Sequence, residues 1–391
     1  MNNIELFLWI LSITTLGSWL YLWLFRSLFW LANQRLENNL PADIPATISF
    51  PSVIALIPAR NEEDVIARCI GSLLNQDYQG ELSIILIDDE SNDRTVEVAQ
   101  AAAAQFEGGN KVQIISGKQL PSGWAGKVWA LQQGMNRAVR TQAKYYFLSD
   151  ADVYHDTSNL TRLVSKAEKD ELDLVSLMVK LQCRSSWDWL LIPAFIFFFQ
   201  KLFPFNRVND PSSRVAAAAG GSMLVRKTAM DRIGQYTSIK SAIIDDCTLA
   251  RKLKENGPIW LGLSTTTRSI RAYDNLTEIW HMVTRSAYTQ LHHSLVFLLG
   301  AIIGMTVVYV APPMVMCFAF LHDLTFPLLF SGCAWGIMIY TYHPTLKLYD
   351  VKPFYGLLLP VTALIYLLMT IDSARLFYLN KGGRWKGRVY S

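Results

Sequence analysis

Charged residues are scarce in this 391-residue chain, since Asp, Glu, Lys and Arg make up 17% of it and hydrophobic residues 51%. An ordinary soluble domain has about 25% charged residues. The deficit predicts that part of the chain lies in a membrane. The net charge of +4 is small and scattered, which argues against a nucleic-acid partner and suits a protein that lies against an anionic lipid bilayer.

Cysteine and histidine spacings that are typical of metal sites are missing as well. No two of the five cysteines have zinc-finger spacing, so we interpret them as reduced core thiols. The six histidines show no metal spacing either. The sequence also has no Ser-His-Asp nucleophile elbow, Walker loop or dinucleotide-binding fingerprint.

A long apolar run near the N-terminus extends from Ile4 to Phe25 and ends at Arg26. A membrane-spanning helix needs about 20 such residues. A cleaved signal peptide is the alternative, but it requires a charged start, a shorter run and a small-residue cleavage site. We therefore predict an uncleaved anchor in residues 1–26, followed by a polar linker in residues 27–51 with Pro41, Pro45 and Pro51.

Three further apolar runs lie within residues 286–375. They extend from Leu295 to Phe320, from Phe326 to Tyr342 and from Phe354 to Ile371, and we predict C-terminal transmembrane helices there. A buried core helix is the alternative for the shortest run.

Basic residues predict the orientation of these segments. Arg26 and Arg35 follow the first run, which places the central domain in the cytoplasm, and the basic tail in residues 376–391 also favours the inside. Three complete C-terminal spans would instead leave that tail outside. We follow the charge rule, and expect that one run is re-entrant or that Pro312 and Pro313 divide the first.

The central part of the chain, residues 52–285, alternates between strand and helix patterns. Short apolar runs predict strands at Val53–Ile57, Leu82–Ile87, Val112–Ile115 and Tyr145–Leu148. Their continuous apolar character is typical of strands covered on both faces. Such α/β sheets bind ligands at the carboxyl ends of their strands, and polar residues occur at those positions here.

Two acidic clusters follow predicted strands. Asp88 and Asp89 can accept hydrogen bonds from a base or ribose, although a capped turn into a helix is the alternative. Asp150 and Asp152 directly follow the strand that ends at Ser149. Paired carboxylates there can hold Mg²⁺ or Mn²⁺, which often bridges the phosphates of a substrate and stabilises a departing diphosphate.

A third acidic cluster, Asp245-Asp246, lies at the edge of an apolar run. Asp246 can serve as a general base for an acceptor hydroxyl if that hydroxyl lies within hydrogen-bond reach. The open alternative is that both acids sit at a helix N-terminus, where negative charge is favourable.

Two glycine-bearing segments are compatible with a phosphate and sugar site. Lys127 ends the loop that begins at Pro121 and can meet a phosphate, while Gly220 and Gly221 allow a close approach of the backbone to sugar or acceptor. Ordinary turn glycines are the alternative for both. Residues 187–207 are rich in aromatics with flanking Lys201 and Arg207, which predicts an interfacial segment or an apolar groove for a lipid acceptor, or else plain buried core.

Taken in order, these motifs resemble those of the inverting family 2 glycosyltransferases with the GT-A fold. A closer resemblance is to the hopene-associated glycosyltransferases, and it runs nearly end to end. The segments that carry it are Pro58–Glu62, Gly123–Lys127, Ser176–Val179, Ile192–Phe195, Ile244–Cys247, Tyr288–Leu291 and Trp385–Arg388. The resemblance implies a GT-A type nucleotide-sugar-binding α/β domain with a mostly parallel sheet, in a bacterial inner-membrane enzyme linked with hopanoid lipids.

The resemblance also implies roles for particular residues. Ala59, Glu62 and Asp88, with Asp89 beside them, would hold the nucleoside of a UDP-sugar. Asp150 and Asp152 would hold the nucleotide and a divalent cation, with Asp152 the direct ligand. Asp246 would be the base, and Asp245, Gly220 and Gly221 would lie on the acceptor or sugar side. Processive and ceramide-type relatives carry a Gln-x-x-Arg-Trp motif after the base. The nearest segment here, Met282–Ser286, lacks both Gln and Trp, which leaves Arg285 as the candidate for the diphosphate.

The sequence therefore predicts a metal-dependent inverting transferase that moves a sugar onto a membrane lipid. Two alternatives stay open. A membrane-bound nucleotidyltransferase would use the same kind of sheet but release pyrophosphate, and a non-catalytic membrane scaffold would keep the fold alone.

Overall fold

The computed structural model describes residues 3–38, 50–139, 141–273, 275–381, 384–385 and 388–389. Pro41 and Pro45 of the predicted linker and Lys386 of the predicted basic tail lie outside these ranges. The helices are α1 Asn3–Leu24, α2 Ile66–Leu74, α3 Thr95–Ala104, α4 Gly126–Ala138, α5 Asn159–Lys169, α6 Ser186–Leu202, α7 Phe205–Val208, α8 Lys227–Arg232, α9 Asp245–Lys254, α10 Leu276–Thr284, α11 Ala287–Gln290, α12 Leu295–Met305, α13 Ala311–Leu321, α14 Thr325–Leu348 and α15 Leu359–Tyr378. The strands are β1 Val53–Ala59, β2 Leu82–Asp88, β3 Val112–Ser116, β4 Tyr145–Ser149, β5 Val153–Tyr154, β6 Leu174–Lys180, β7 Ser222–Arg226, β8 Ile259–Ser269, β9 Arg384–Trp385 and β10 Arg388–Val389.

The central domain is built on an eight-stranded sheet with the order β3-β2-β1-β4-β7-β6-β8-β5. The pairs β3–β2, β2–β1, β1–β4 and β6–β8 are parallel, whereas β7 and β5 run antiparallel to their neighbours. Every residue of β1 and β4 is buried, as expected of strands covered by helices on both faces. The predicted α/β domain with a mostly parallel sheet is confirmed.

The strand register brings the predicted polar residues to one edge of the sheet. Ala59 at the end of β1 is paired with Asp88 at the end of β2, and Asp150 directly follows β4, which is the other parallel neighbour of β1. Parallel strands end on the same side, so residues that are distant in sequence meet along this edge.

Long apolar helices lie at both ends of the chain, as predicted. Three segments, Asn3–Leu24, Leu295–Leu321 and Pro353–Tyr378, are long and apolar enough to cross a membrane by length and composition. The shortest predicted run falls within α14, which packs between α1 and α13. Many large apolar side chains of these helices are exposed in the isolated chain, and an apolar surface of this extent is typical of contact with lipid.

The pair Pro312-Pro313 does not divide the first C-terminal run, so that expectation was wrong. Residues 295–321 form one continuous helical segment, in which the π-helical turn Thr306–Val310 lies directly before α13 and its prolines. Proline lacks a backbone N–H and clashes with the carbonyl of the preceding turn. The wider π-helical turn accommodates the change without ending the helix. The expectation of a re-entrant run remains a prediction.

The aromatic segment forms α6, which is capped by a reciprocal pair of hydrogen bonds between Ser185 and Asp188. Its buried face contacts α14 and α15, while Trp187 and Trp189 are about 40% and 39% exposed. One continuous apolar core includes the sheet, α6 and the apolar helices. The predicted linker also packs on this core through Phe29 and Trp30, so its described part is not a free tether.

Candidate active site

Lys127, at the start of α4, lies at the centre of a cluster of carboxylates. Its Nζ is 2.6 Å from Asp150 Oδ1 and 3.9 Å from Asp245 Oδ2. Burial alone would lower the pKa of Lys127, but Asp150 and Asp245 outweigh it and raise this pKa above its usual value. The structure thus brings together a predicted nucleotide-binding acid, the predicted phosphate lysine and the third acidic cluster.

Asp246, the predicted base, is oriented toward this cluster by two backbone N–H groups. Gly220 donates to its Oδ2 at 2.9 Å, and Cys247 donates to its Oδ1 at 2.7 Å. Burial and the neighbouring Asp245 raise the pKa of Asp246 to about 6, while Lys127 opposes the rise. A carboxylate with a pKa near the working pH is suited to accept a proton from a hydroxyl. Asp245 and Asp246 both lie in the first turn of α9, as the helix-terminus alternative predicts. This position is compatible with a function for Asp246 as a base, so the two interpretations do not exclude each other.

Gly220 and Gly221 form one wall of this cluster. A Cβ at Gly220 would lie 3.0 Å from Lys127 Nζ and 3.5 Å from Asp246 Oδ2, so any side chain there would crowd both groups. The carbonyl of Gly221 accepts the backbone N–H of Asp150 at 3.4 Å. These contacts give the glycine pair a packing role within the cluster, and its predicted approach to sugar or acceptor stays a prediction.

Asp152 is held by Arg271, which sequence reasoning missed. Arg271 Nε donates to Asp152 Oδ2 at 2.7 Å, and its terminal nitrogen donates to Glu62 Oε2 at 2.8 Å and to Oε1 at 3.1 Å. Arg271 lies two residues after the end of β8, and the backbone N–H of the intervening Ile270 donates to the carbonyl of Asp152 at 2.6 Å. Arg271 carried no signal in the sequence, because no strand was predicted before it and nothing indicated that β8 would lie beside Asp152.

The other predicted nucleoside residues lie at the ends of β1 and β2. Asp88 Oδ1 accepts the backbone N–H of Ser91 at 3.2 Å, which matches the capped-turn alternative. Asp89 is fully buried, its backbone N–H donates to the carbonyl of Ala59 at 2.8 Å, and its Oδ2 lies 3.9 Å from Arg60. Asp89 therefore has a structural role, and a contact of its side chain with the nucleoside stays a prediction.

Arg285 ends α10 and is exposed. Its charge acts on the hydroxyl of Tyr273, whose pKa is raised by burial and by Asp152 and lowered in part by Arg271 and Arg285. The predicted contact of Arg285 with a diphosphate remains a prediction.

The loop that carries Asp150 and Asp152 rests on a buried polar group. His155 Nε2 and Ser149 Oγ share a hydrogen bond of 2.7 Å, and Ser149 Oγ also donates to the carbonyl of Asp150 at 3.0 Å. Burial lowers the pKa of His155 to about 3, so the imidazole is neutral. Its role is to fix this loop rather than to transfer protons.

The carboxylates of Asp150 and Asp152 fit a divalent cation that completes its coordination with substrate. Asp150 Oδ1 and Asp152 Oδ2 are engaged by Lys127 and Arg271, which leaves a second oxygen on each carboxylate. Within the part of the chain that the structure describes, no group of three or more His, Cys, Asp or Glu side chains is placed to hold a metal. Mg²⁺ is commonly bound through one or two carboxylates together with substrate phosphates and water, and Asp150 and Asp152 match this pattern.

Several curated proteins resemble parts of the chain. A β-monoglucosyldiacylglycerol synthase from Trichormus variabilis is 25% identical over 211 residues, which are 52% of this chain and 42% of the relative. The synthase of the same name from Synechocystis is 23% identical over 61% of this chain and 48% of the relative. An N-acetylglucosaminyltransferase from Rhizobium leguminosarum is 42% identical over 18% of this chain and 17% of its own length. The chain thus spans less than half the length of these relatives.

A similar solved structure is a mannosyltransferase from Pyrobaculum calidifontis in complex with GDP-Man and Mn²⁺. It has a TM-score of 0.55 and 16% sequence identity, and the match covers 94% of this chain and 99% of that chain. At this level of identity the similarity establishes the fold. Residues 54–234 match the family described as "Glycosyl transferase family 2". These residues therefore form a glycosyltransferase family 2 domain, and the fold around them is GT-A.

Proposed function

We propose that the protein is an inverting glycosyltransferase that moves a sugar from a UDP-sugar onto a hydroxyl of a membrane lipid. The observation that carries the proposal is the convergence of Asp150, Lys127 and Asp246 at one edge of the sheet. Lys127 Nζ pairs with Asp150 at 2.6 Å, and Gly220 lies between Lys127 and Asp246. The ammonium group of Lys127, the predicted donor-side acid Asp150 and the proposed base Asp246, whose pKa is raised, are therefore available in one pocket.

The reaction proposed is a single displacement. Asp246 takes the proton of the acceptor hydroxyl while that oxygen attacks the anomeric carbon from the face opposite the diphosphate. A base of this kind is worth about 10²–10⁴ in rate. Lys127 lies where it can stabilise the negative charge that develops on the departing diphosphate. Inversion at the anomeric carbon follows from attack on the face opposite the leaving group.

A divalent cation is part of the proposal. Asp150 and Asp152 would hold Mg²⁺ or Mn²⁺, which when bound supplies Lewis-acid stabilisation of the diphosphate. The structural relative in complex with Mn²⁺ and GDP-Man has the same fold, which supports the use of a metal and leaves the nucleotide base to experiment.

The membrane-facing helices lie beside this pocket, which supports a lipid acceptor. Gln182, just before α6, donates to the carbonyl of Ile270 at 2.6 Å, next to Arg271. Farther along α6, Tyr366 of α15 donates to the carbonyl of Leu191 at 2.9 Å. At its other end, α15 is joined to α10 by a hydrogen bond of 2.8 Å from Trp280 to Asp372. These contacts join the apolar helices to the side of the site that carries Arg271, and we propose that a lipid hydroxyl enters from there.

The choice of acceptor is narrowed by two lines of similarity. The cyanobacterial relatives are named for a glucosylated diacylglycerol, and the motif resemblance points to hopanoid lipids. We propose a hydroxylated membrane lipid of one of these two kinds, in a bacterial inner membrane with the catalytic domain in the cytoplasm. The apolar helices at both ends of the chain support the membrane location.

The test is a transfer assay with the full chain in lipid nanodiscs. The reaction contains Mn²⁺, a panel of UDP- and GDP-sugars and either diacylglycerol or a hydroxylated hopanoid, and mass spectrometry identifies the products. We expect release of a nucleoside diphosphate together with a glycosylated lipid, and a rate of formation of both that is about 10²–10⁴ lower in Asp246→Asn. Release of pyrophosphate would indicate a nucleotidyltransferase. A complete lack of turnover with every donor, although the donors bind, would favour the non-catalytic scaffold.

A further inference from the structure

Arg271 neutralises two residues that the proposed donor site requires. Its Nε lies 2.7 Å from Asp152 Oδ2, and its terminal nitrogen lies 2.8 Å from Glu62 Oε2. The two carboxylates are mostly buried, with 19% and 11% of their side chains exposed, whereas 36% of the Arg271 side chain is exposed. Arg271 therefore joins the predicted metal ligand to a predicted nucleoside residue from the solvent side of the pocket.

This arrangement puts Arg271 in competition with any divalent cation at Asp152. A metal that approached this carboxylate while the guanidinium stayed in place would meet a positive charge within a few ångströms. At short range and in a partly buried site, such repulsion weakens the binding of the metal. Binding of a metal through the second oxygen of Asp152 is therefore favoured when Arg271 gives up its contact with Oδ2.

The displaced guanidinium would have an obvious new partner. Arginine presents planar, paired N–H groups that match the oxygens of a phosphate as well as those of a carboxylate. The diphosphate of a bound donor would lie beside the metal at Asp152. Arg271 comes from the non-helical stretch directly after β8 and is the most exposed member of the trio, so it can turn toward such a group while the backbone stays in place.

We propose that Arg271 is the resident counter-ion of Asp152 and transfers to the diphosphate when the metal and donor bind. This inference rests on the proposed function. It gives Arg271 a donor-binding role that motif comparison had reserved for Arg285. It also explains why metal and donor would bind together. The replacement of Arg271 by the metal at Asp152 and the transfer of Arg271 to the diphosphate are each unfavourable without the other.

A simple structural clamp is the competing explanation. In that case Arg271 would hold Asp152 and Glu62 in place at all times, and its loss would weaken the binding of metal and nucleotide alike. Counter-ion exchange instead predicts opposite effects on the two ligands, because the guanidinium competes with the metal and assists the nucleotide. The two explanations therefore differ in the sign of one measurable quantity.

The experiment uses the full-length protein in detergent micelles and the variants Arg271→Gln and Arg271→Lys. Mn²⁺ binding without nucleotide is measured from the loss of the free-ion electron paramagnetic resonance signal, and UDP binding at saturating Mn²⁺ by titration calorimetry. For Arg271→Gln we expect Mn²⁺ to bind on the order of tenfold more tightly and UDP on the order of tenfold more weakly, as for the loss of one charge-assisted contact. Arg271→Lys should change both affinities in the same directions and by less.

Arg268→Gln is the matched control, because Arg268 lies on β8 and stacks on the Tyr154 ring at 5.0 Å. It should leave both affinities unchanged. Unchanged or weaker Mn²⁺ binding by Arg271→Gln, or unchanged UDP binding, would overturn the exchange. If Arg271→Gln does not fold, the same two comparisons with Arg271→Lys decide the question. Failure of the unaltered protein to bind UDP and Mn²⁺ at all would instead remove the proposed function.

Discussion

The backbone N–H of Gly220 donates a hydrogen bond of 2.9 Å to Asp246 Oδ2, and this contact fixes the direction of the proposed base. The same carboxylate accepts the N–H of Cys247 through its other oxygen at 2.7 Å. Two backbone donors hold the carboxylate in one orientation, so its position is set before any substrate binds. A base with this degree of preorganisation should act without a large rearrangement.

Asp246→Asn should lower turnover by about 10²–10⁴ and leave donor binding nearly intact, because the amide keeps the shape but cannot take a proton. The measurement is the kcat for transfer, with the UDP dissociation constant determined in parallel. Asp231→Asn, on α8 and outside the cleft, serves as the control and should retain full turnover. Full activity of Asp246→Asn would refute the assignment of the base.

Lys127 should control the pH dependence of the reaction. Asp246 must be deprotonated to act, so activity should fall as the pH drops through about 6, the value to which its pKa is raised. Lys127 opposes that rise, and Lys127→Met should move the acidic limb of the kcat profile to higher pH. Lys118→Met, in the preceding loop, should leave the limb in place. A limb that stays near 6 in Lys127→Met would show that the lysine does not act on Asp246.

Asp152→Asn should weaken nucleotide binding only when a divalent cation is present. The carboxylate is the proposed direct metal ligand, and an amide is a poorer ligand for a hard cation. UDP affinity is compared with Mn²⁺ and with EDTA in the unaltered protein, in Asp152→Asn and in the control Asp170→Asn, an acid of the Lys166 surface pair. Equal affinities with and without Mn²⁺ in the unaltered protein would contradict the metal site.

The first two acidic clusters could be found from the sequence because the rule behind them is local. A buried parallel strand must end near other such strands, so acids that follow these strands meet at one edge. Asp88 and Asp150 lie at this edge for that reason. The same rule could not predict that Asp89, rather than Asp88, would be the buried residue, because its burial depends on the helix packed above it.

The partners of these acids could not be predicted. Arg271 meets Asp152 from 119 positions away in the sequence, through the pairing of β5 with β8. This pairing depends on the strand order in the second half of the sheet. The periodicity of the sequence gives no clear signal for that order. The continuous helix through Pro312-Pro313 could not be predicted either. The prolines indicated a break, whereas the π-helical turn before them preserves the helix.

The N-terminal helix should contribute to stability and not only to anchoring. Trp19 is fully buried, and its indole N–H donates to the carbonyl of Val308 at 2.6 Å. Its ring packs edge-on against Tyr309 at 5.5 Å, and the Tyr309 hydroxyl in turn bonds Lys201 of α6 at 2.8 Å. The helix is thereby joined to the aromatic segment beside the catalytic domain.

Trp19→Ala should therefore lower the free energy of unfolding by roughly 3 kcal/mol or more, as other buried aromatic deletions do. Trp19→Phe should cost less, since it keeps much of the packing and loses the hydrogen bond. Thermal unfolding in detergent measures both, with Ile13→Ala, which is 52% exposed on the same helix, as the control. If all three variants have the same melting temperature as the unaltered protein, the contacts of α1 with α13 and α14 do not stabilise the fold, and the proposed anchoring is the only role left for this helix.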